Sequence, residues 1–226
     1  MNYSILLFDL DDTLLDFRAN EAAALPALFE KHGHAFTPEI AAVYHRINTA
    51  LWSAYELGEI PLRTLLDHRF SRTMETFGHY VDGAAWEADY RALLALGHQK
   101  MEGAAEVCQK LSATHRLFIV TNGVVGTQER RLRDAGLYGF FEDVFYSEVI
   151  GCQKPHRGFF DYVAAHIPGF EPASALLIGN SPATDIKGGR DYGIDTCLYC
   201  PPGKSSPADI PATYTIHSLW DLPALC

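Results

Sequence analysis

Two carboxylates, Asp9 and Asp11, follow directly on the apolar run Ile5-Leu6-Leu7-Phe8. A continuous apolar run of this length reads as a buried strand of a parallel sheet. Its end is the edge at which open α/β sheets gather their ligands. Residues at i and i+2 of an extended segment point the same way, so both acids can address one small site while Leu10 faces away. Burying two neighbouring carboxylates is costly unless a cation, a proton or a fixed donor offsets their repulsion. A divalent metal, with one carboxylate ionised and the other sharing a proton, would satisfy both. That arrangement suggests a nucleophile, Asp9, and a general acid/base, Asp11. The same spacing also suits an acidic turn or a helix cap, so the rest of the chain has to decide.

Three more apolar runs lead to polar residues of complementary chemistry. Leu117-Phe118-Ile119-Val120 ends in Thr121-Asn122-Gly123, a hydroxyl followed by a turn whose backbone N–H groups can hold phosphate oxygens. Val144-Phe145-Tyr146 precedes Lys154-Pro155, whose ammonium can compensate clustered carboxylates and phosphate charge. Ala175-Leu176-Leu177-Ile178 ends in Gly179-Asn180-Ser181, with Asp185 a few residues on, either a support for a metal or a first-turn helix charge. Helical periodicity separates these runs near 104–113, 126–135, 157–166 and 184–192, and strands alternating with helices imply a parallel sheet with right-handed crossovers. Segments 196–199 and 214–216 read as edge strands, and 201–211 as a Pro/Ser-rich surface loop.

Between the first strand and this alternation the pattern changes. From Asn20-Glu21, which reads as a capped helix start, to Leu96 the apolar residues fall at helical spacing. Breaks at Gly33, Thr37-Pro38, Gly58 to Pro61 and Gly78 to Gly83 divide the segment into roughly four helices with no strand. The expected organisation is therefore an α/β core of residues 1–16 and 97–226 interrupted by a helical cap of residues 17–96.

Bulk properties narrow the function. The 226 residues are 48% apolar and carry a net charge of −10, which argues against a nucleic-acid polymer as partner. No start resembling a signal peptide and no run near the ~20 apolar residues of a membrane span are present, so no membrane partner and a cytoplasmic location are expected. The five cysteines form no even disulfide framework. Cys197-Leu-Tyr-Cys200 has redox or half-zinc spacing, but no second pair or His cluster completes it, and buried or incidental thiols are expected.

Taken in order, Asp9-x-Asp11-x-Thr13, Thr121-Asn122-Gly123, Lys154-Pro155 and Gly179-Asn180-Ser181-x-x-x-Asp185 closely resemble the motifs of the haloacid dehalogenase superfamily of phosphohydrolases. The resemblance spans essentially the whole chain and implies a Rossmann-like core with an inserted α-helical cap. It further implies an aspartyl-phosphate mechanism, with Asp9 as nucleophile, Asp11 as acid then base, and Thr121, Asn122, Gly123 and Lys154 holding the phosphoryl group. Mg2+ would bind Asp9, the backbone carbonyl of Asp11, and the fourth motif through Asn180 and Asp185. That motif usually carries Asp where this chain has Asn180, which predicts weaker metal affinity. An Asn there also suits a phosphate-ligand binding module that has lost turnover. Because halide leaves unprotonated, the intact Asp pair favours phosphate transfer over dehalogenation.

Substrate choice is expected to lie in the cap. Its segment Leu51-Trp52-Ser53-Ala54-Tyr55-Glu56-Leu57-Gly58-Glu59-Ile60 resembles the bacterial pyrimidine 5′-nucleotidase branch of the superfamily. Trp52 and Tyr55 are then candidates to stack on a base, against plain core packing, and Arg63 and Arg69 either reach substrate or are solvated. The expected partner is a small phosphorylated metabolite. A sugar-phosphate or phosphoglycolate phosphatase and a mutase are the alternatives, and the sequence does not choose between monomer and homodimer.

Overall fold

The computed structural model describes residues 3–203 and 210–226. The loop read at 201–211 therefore falls largely outside the described residues. The chain divides into two compact units, Met1–Phe17 with His98–Cys226, and Arg18–Gly97.

In chain order the elements begin with β1 (Ile5–Phe8), then the helices α1 (Phe17–Lys31), α2 (Pro38–Glu56), α3 (Leu62–Glu75) and α4 (Gly83–Leu94). Next come α5 (Ala104–Ser112), β2 (Arg116–Thr121), α6 (Val125–Asp134), β3 (Asp143–Tyr146), α7 (Ser147–Ile150) and α8 (Arg157–His166). The chain closes with β4 (Ala175–Gly179), a π-helical turn (Pro182–Ile186), α9 (Lys187–Tyr192), β5 (Asp195–Tyr199) and β6 (Tyr214–Ile216).

The six strands form one parallel sheet in the order β3-β2-β1-β4-β5-β6. Strand β1 lies centrally, with Leu7 opposite Phe118 on one side and Leu177 on the other. All four of its residues are buried, as a strand covered on both faces requires. Alternation sends Leu6 and Phe8 into a layer with Val107 and Leu111 of α5 and Leu132 of α6. It sends Ile5 and Leu7 into the opposite layer, with Phe159, Phe160 and Val163 of α8. Of the two segments read as edge strands, only β6 is one. The strand β5 is internal, paired with β4 and β6, because β6 supplies a second neighbour from beyond the Pro/Ser-rich stretch. The expected helix at 184–192 is split between the π-helical turn and α9.

This strand order reverses direction between β1 and β4, and the crevice outside the carboxyl ends at such a switch point is where α/β sheets bind ligands. Asp9 follows β1 and Asn180 follows β4, on either side of it.

The second unit consists, among the described residues, of α1 to α4 packed around Phe29, Tyr44, Phe70, Trp86 and Tyr90. Thr37 caps α2 by accepting from the Ile40 N–H, and Asp82 caps α4 by accepting from Ala84 and Ala85. Asn20 is no cap: α1 begins earlier, at Phe17, and the buried Asn20 amide donates to the Leu94 carbonyl at 2.8 Å. Arg69 is neither solvated nor displayed. It is buried, with Nε and NH2 each 2.7 Å from a carboxylate oxygen of Glu87, and its guanidinium lies over the Tyr90 ring. Arg63, by contrast, is exposed and pairs with Asp67 one turn on.

Breaking a buried ion pair from one side costs about 3–5 kcal/mol, because the remaining charge has no compensation. Burial already pushes the Glu87 carboxyl above its ordinary range against the pull of Arg69. Arg69→Met is therefore expected to lower the unfolding free energy of this unit by roughly that amount. In denaturant titrations, adding Glu87→Leu should recover most of the loss. A loss that the second substitution does not reduce would mean that packing, not charge, dominates there.

Candidate active site

The backbone after β1 folds into a tight turn. The Leu10 carbonyl accepts from the N–H groups of Thr13, Leu14 and Leu15, and Asp12 takes a left-handed conformation (φ 56°) rare for a residue with a Cβ. This turn ends the run of β1, and the two carboxylates that open the motif take different partners.

Asp9 is nearly enclosed. Its Oδ1 accepts from Lys154 Nζ at 2.9 Å and its Oδ2 from the Thr13 hydroxyl at 3.1 Å. Lys154 is itself 1% exposed and fully satisfied, its three N–H bonds directed at Asp9, at Asp185 Oδ1 (2.6 Å) and at the Val120 carbonyl (2.8 Å). One ammonium therefore sits between two buried carboxylates. Burial pushes the Asp9 carboxyl up to about 7; the Lys154 charge opposes this, while Asp185 and Asp11 add to it. The same two carboxylates hold the Lys154 ammonium above its ordinary range despite burial.

Asp185 lies in the first turn of the π-helical segment and is wholly buried. Its Oδ2 accepts from the Ser181 N–H at 3.0 Å. The space this carboxylate occupies explains Gly179, where a Cβ would collide with it. Asn180, the residue after β4, is half-buried.

The second motif divides its labour. The Thr121 hydroxyl oxygen accepts from the Gly123 N–H at 3.0 Å, which leaves its proton to donate. Asn122 is committed elsewhere: its side chain donates to the Lys154 carbonyl at 3.0 Å and accepts from the Lys154 N–H at 2.9 Å. Its amide thus fixes the backbone that carries the ammonium, and the Lys154–Pro155 peptide is cis.

Asp11 is held by two residues that the sequence reading passed over. Arg131 NH1 donates to Oδ1 at 2.5 Å and the Gln128 amide donates to Oδ2. Gln128 and Arg131 lie three residues apart on α6, hence on one face, and both are buried. A polar pair at that spacing beside Leu132 was the available signal.

In the other unit Tyr55 is buried and Trp52 half-buried on α2, their ring centroids 5.8 Å apart. Trp52 is the ring with surface left to offer. Cys197 and Cys200 are buried and form no disulfide, and burial raises the Cys197 thiol to about 12, so a reactive pair is not built here. Among the described residues no group of three His, Cys, Asp or Glu side chains forms a metal cluster. Among them, too, no helix is long and apolar enough to cross a membrane.

A family model described as haloacid dehalogenase-like hydrolase matches residues 3–193. The HAD-hydrolase YfnB of Bacillus subtilis is 44% identical over 220 residues, covering 97% of this chain and 94% of its own. Its crystal structure, described as bound to magnesium, superposes with a TM-score of 0.93 over 100% of this chain and 99% of that one. The pyrimidine 5′-nucleotidase PynA of Streptococcus pneumoniae is 38% identical over 98% of this chain and 94% of its own. The pyrimidine 5′-nucleotidase YjjG of Escherichia coli is 28% identical over 100% and 98%. With its motifs gathered at the switch point of a parallel sheet, the chain belongs to the haloacid dehalogenase-like hydrolase family.

Proposed function

We propose that the protein is a Mg2+-dependent phosphomonoester hydrolase that works through an aspartyl-phosphate intermediate on pyrimidine nucleoside 5′-monophosphates. The observation that carries the chemistry is the buried Asp9–Lys154–Asp185 cluster at the β1/β4 switch point. The substrate class is supported by the two nucleotidase relatives and by the partly exposed Trp52.

Asp9 attacks through a carboxylate oxygen, forming an O–P bond as the bond from phosphorus to the ester oxygen breaks. Asp11 gives its proton to the departing alkoxide. It then takes a proton from water as that water attacks phosphorus and releases phosphate from Asp9. Lys154 and the Thr121 hydroxyl balance the charge on the phosphoryl oxygens.

The donors suit a hard divalent cation. The carboxylate of Asp9, the backbone carbonyl of Asp11, the Asn180 carboxamide and Asp185 are all oxygen ligands, as Mg2+ prefers. Two buried carboxylates sharing one ammonium also leave a negative charge for a cation to neutralise. When bound, Mg2+ would reduce repulsion between an attacking carboxylate and an anionic phosphate. Asn180→Asp adds a charged ligand and is expected to lower the Mg2+ concentration for half-maximal activity by about three- to tenfold. An unchanged requirement would remove Asn180 from the ligand set.

The deciding assay is phosphate release from a panel of nucleoside monophosphates and sugar phosphates, with Mg2+ or with EDTA. Metal-dependent turnover favouring pyrimidine monophosphates is expected. A preference for sugar phosphates would keep the chemistry and discard the role of Trp52. Silence across the panel and on p-nitrophenyl phosphate would make the protein a phosphate-binding module.

A further inference from the structure

The family motifs account for Asp9, Lys154 and Asp185, but not for the partners of Asp11. Burying a guanidinium is expensive unless it is paired. Arg131 is nonetheless 1% exposed, in a structure where the Asp11 side chain it meets is 32% exposed. The contact is built in detail. Arg131 NH1 donates to Gln128 Oε1 at 2.9 Å, which fixes the flip of the Gln128 amide and turns its NH2 toward Asp11 and the Thr121 hydroxyl. A Cβ at Gly123 would collide with that amide, so the second motif leaves room for it. The guanidinium also faces the Phe17 ring, 5.6 Å from its centroid.

We propose that Gln128 and Arg131 are the positioning residues of the acid/base carboxylate. They hold Asp11 by both oxygens and set the place from which it exchanges protons. This inference rests on the acid/base role given to Asp11 above. With an N–H donated to each oxygen, each keeps a further lone pair through which Asp11 can take or give a proton. The pair thereby fixes the direction of proton exchange in both half-reactions.

The consequence is selective. A phosphate ester of an aliphatic alcohol needs a proton on its leaving group, whereas p-nitrophenolate departs without one. Phosphoenzyme formation is therefore measured in single turnovers of the full-length protein with Mg2+, using a nucleoside monophosphate and p-nitrophenyl phosphate. The variants are Gln128→Met, Arg131→Met, Arg131→Lys and Asp11→Asn, each checked for folding by circular dichroism. Gln128→Met and Arg131→Met are expected to slow the nucleotide about 10- to 100-fold, within the usual range for lost general acid catalysis. The nitrophenyl ester should slow less than about threefold, and Arg131→Lys should recover part of the nucleotide rate. If Arg131→Met does not fold, Gln128→Met and Arg131→Lys carry the same comparison. Equal losses on both esters, with a normal split in Asp11→Asn, would overturn the positioning role alone. No split even in Asp11→Asn would overturn the acid/base assignment and this inference with it.

Discussion

Asp9→Asn is expected to lower turnover by about 10⁴-fold or more, as removal of a covalent nucleophile does, and to leave the protein at least as stable as before. The two effects share one cause. The amide cannot attack phosphorus, yet it keeps the shape of the side chain, with its oxygen toward Lys154 and its NH2 toward Thr13. Lys154 retains Asp185 as a partner, and the buried cluster passes from two carboxylates around one ammonium to one of each. Asp9 has its carboxyl pushed from 3.8 up to about 7. Between those values the metal-free native state binds more protons than the unfolded state, so stability falls as pH rises. The contribution of this group is fully present below about 3.8 and is lost as pH rises through about 7. Without Mg2+, the difference in thermal midpoint between variant and parent should therefore grow in favour of Asn from pH 5 to pH 8. Turnover within tenfold of the parent, or a phosphoenzyme trapped on the variant, would remove Asp9 as the nucleophile.

The core was readable because its central strands β1 and β4 are apolar and buried along their length, as strands covered on both faces are. Each polar cluster then marks the end of a strand, and parallel alignment brings those ends to one edge. What a linear reading could not supply was which partner each polar atom takes. Asn122 was read for its backbone N–H, and nothing local says that its side-chain amide holds the backbone of Lys154. Asp185 was read as a metal support or a first-turn charge, and local sequence says nothing of an ammonium arriving from 31 residues away. Gln128 and Arg131 reach back more than a hundred residues to Asp11, and helix periodicity alone does not say which polar face is turned inward. Arg69 failed in the same way, since buried and exposed arginines look alike until Glu87 is seen opposite. What was missed in the site is thus long-range pairing between polar groups, while the apolar pattern carried the order of the strands apart from the internal place of β5.

Lys154→Met tests the same cluster from the cationic side, and it should damage both folding and chemistry. Methionine fills nearly the same volume, so the loss is one of charge and hydrogen bonds more than of packing. It leaves Asp9 and Asp185 facing each other in a buried space and removes a donor from the Val120 carbonyl. Removing one partner of such a buried group costs about 3–5 kcal/mol. In a chain of this size that corresponds to a fall of roughly 10 °C in thermal midpoint. Lys154 supplies the main pull that keeps the Asp9 carboxyl from rising further. The stability of the variant should therefore decline more steeply than that of the parent as pH is raised from 5 to 9, in the direction already set by a raised carboxyl. Turnover should fall about 10²- to 10³-fold, the usual loss when a group that stabilises transition-state charge is removed. Adding Asp185→Asn separates the two effects. Stability should largely return because one uncompensated charge is gone, while activity should not, because the phosphoryl group still lacks its ammonium. If the double variant regained activity along with stability, Lys154 would be a structural counter-ion only. If it regained neither, the damage would lie in the backbone that Asn122 holds around Lys154, and the electrostatic account of the cluster would fail.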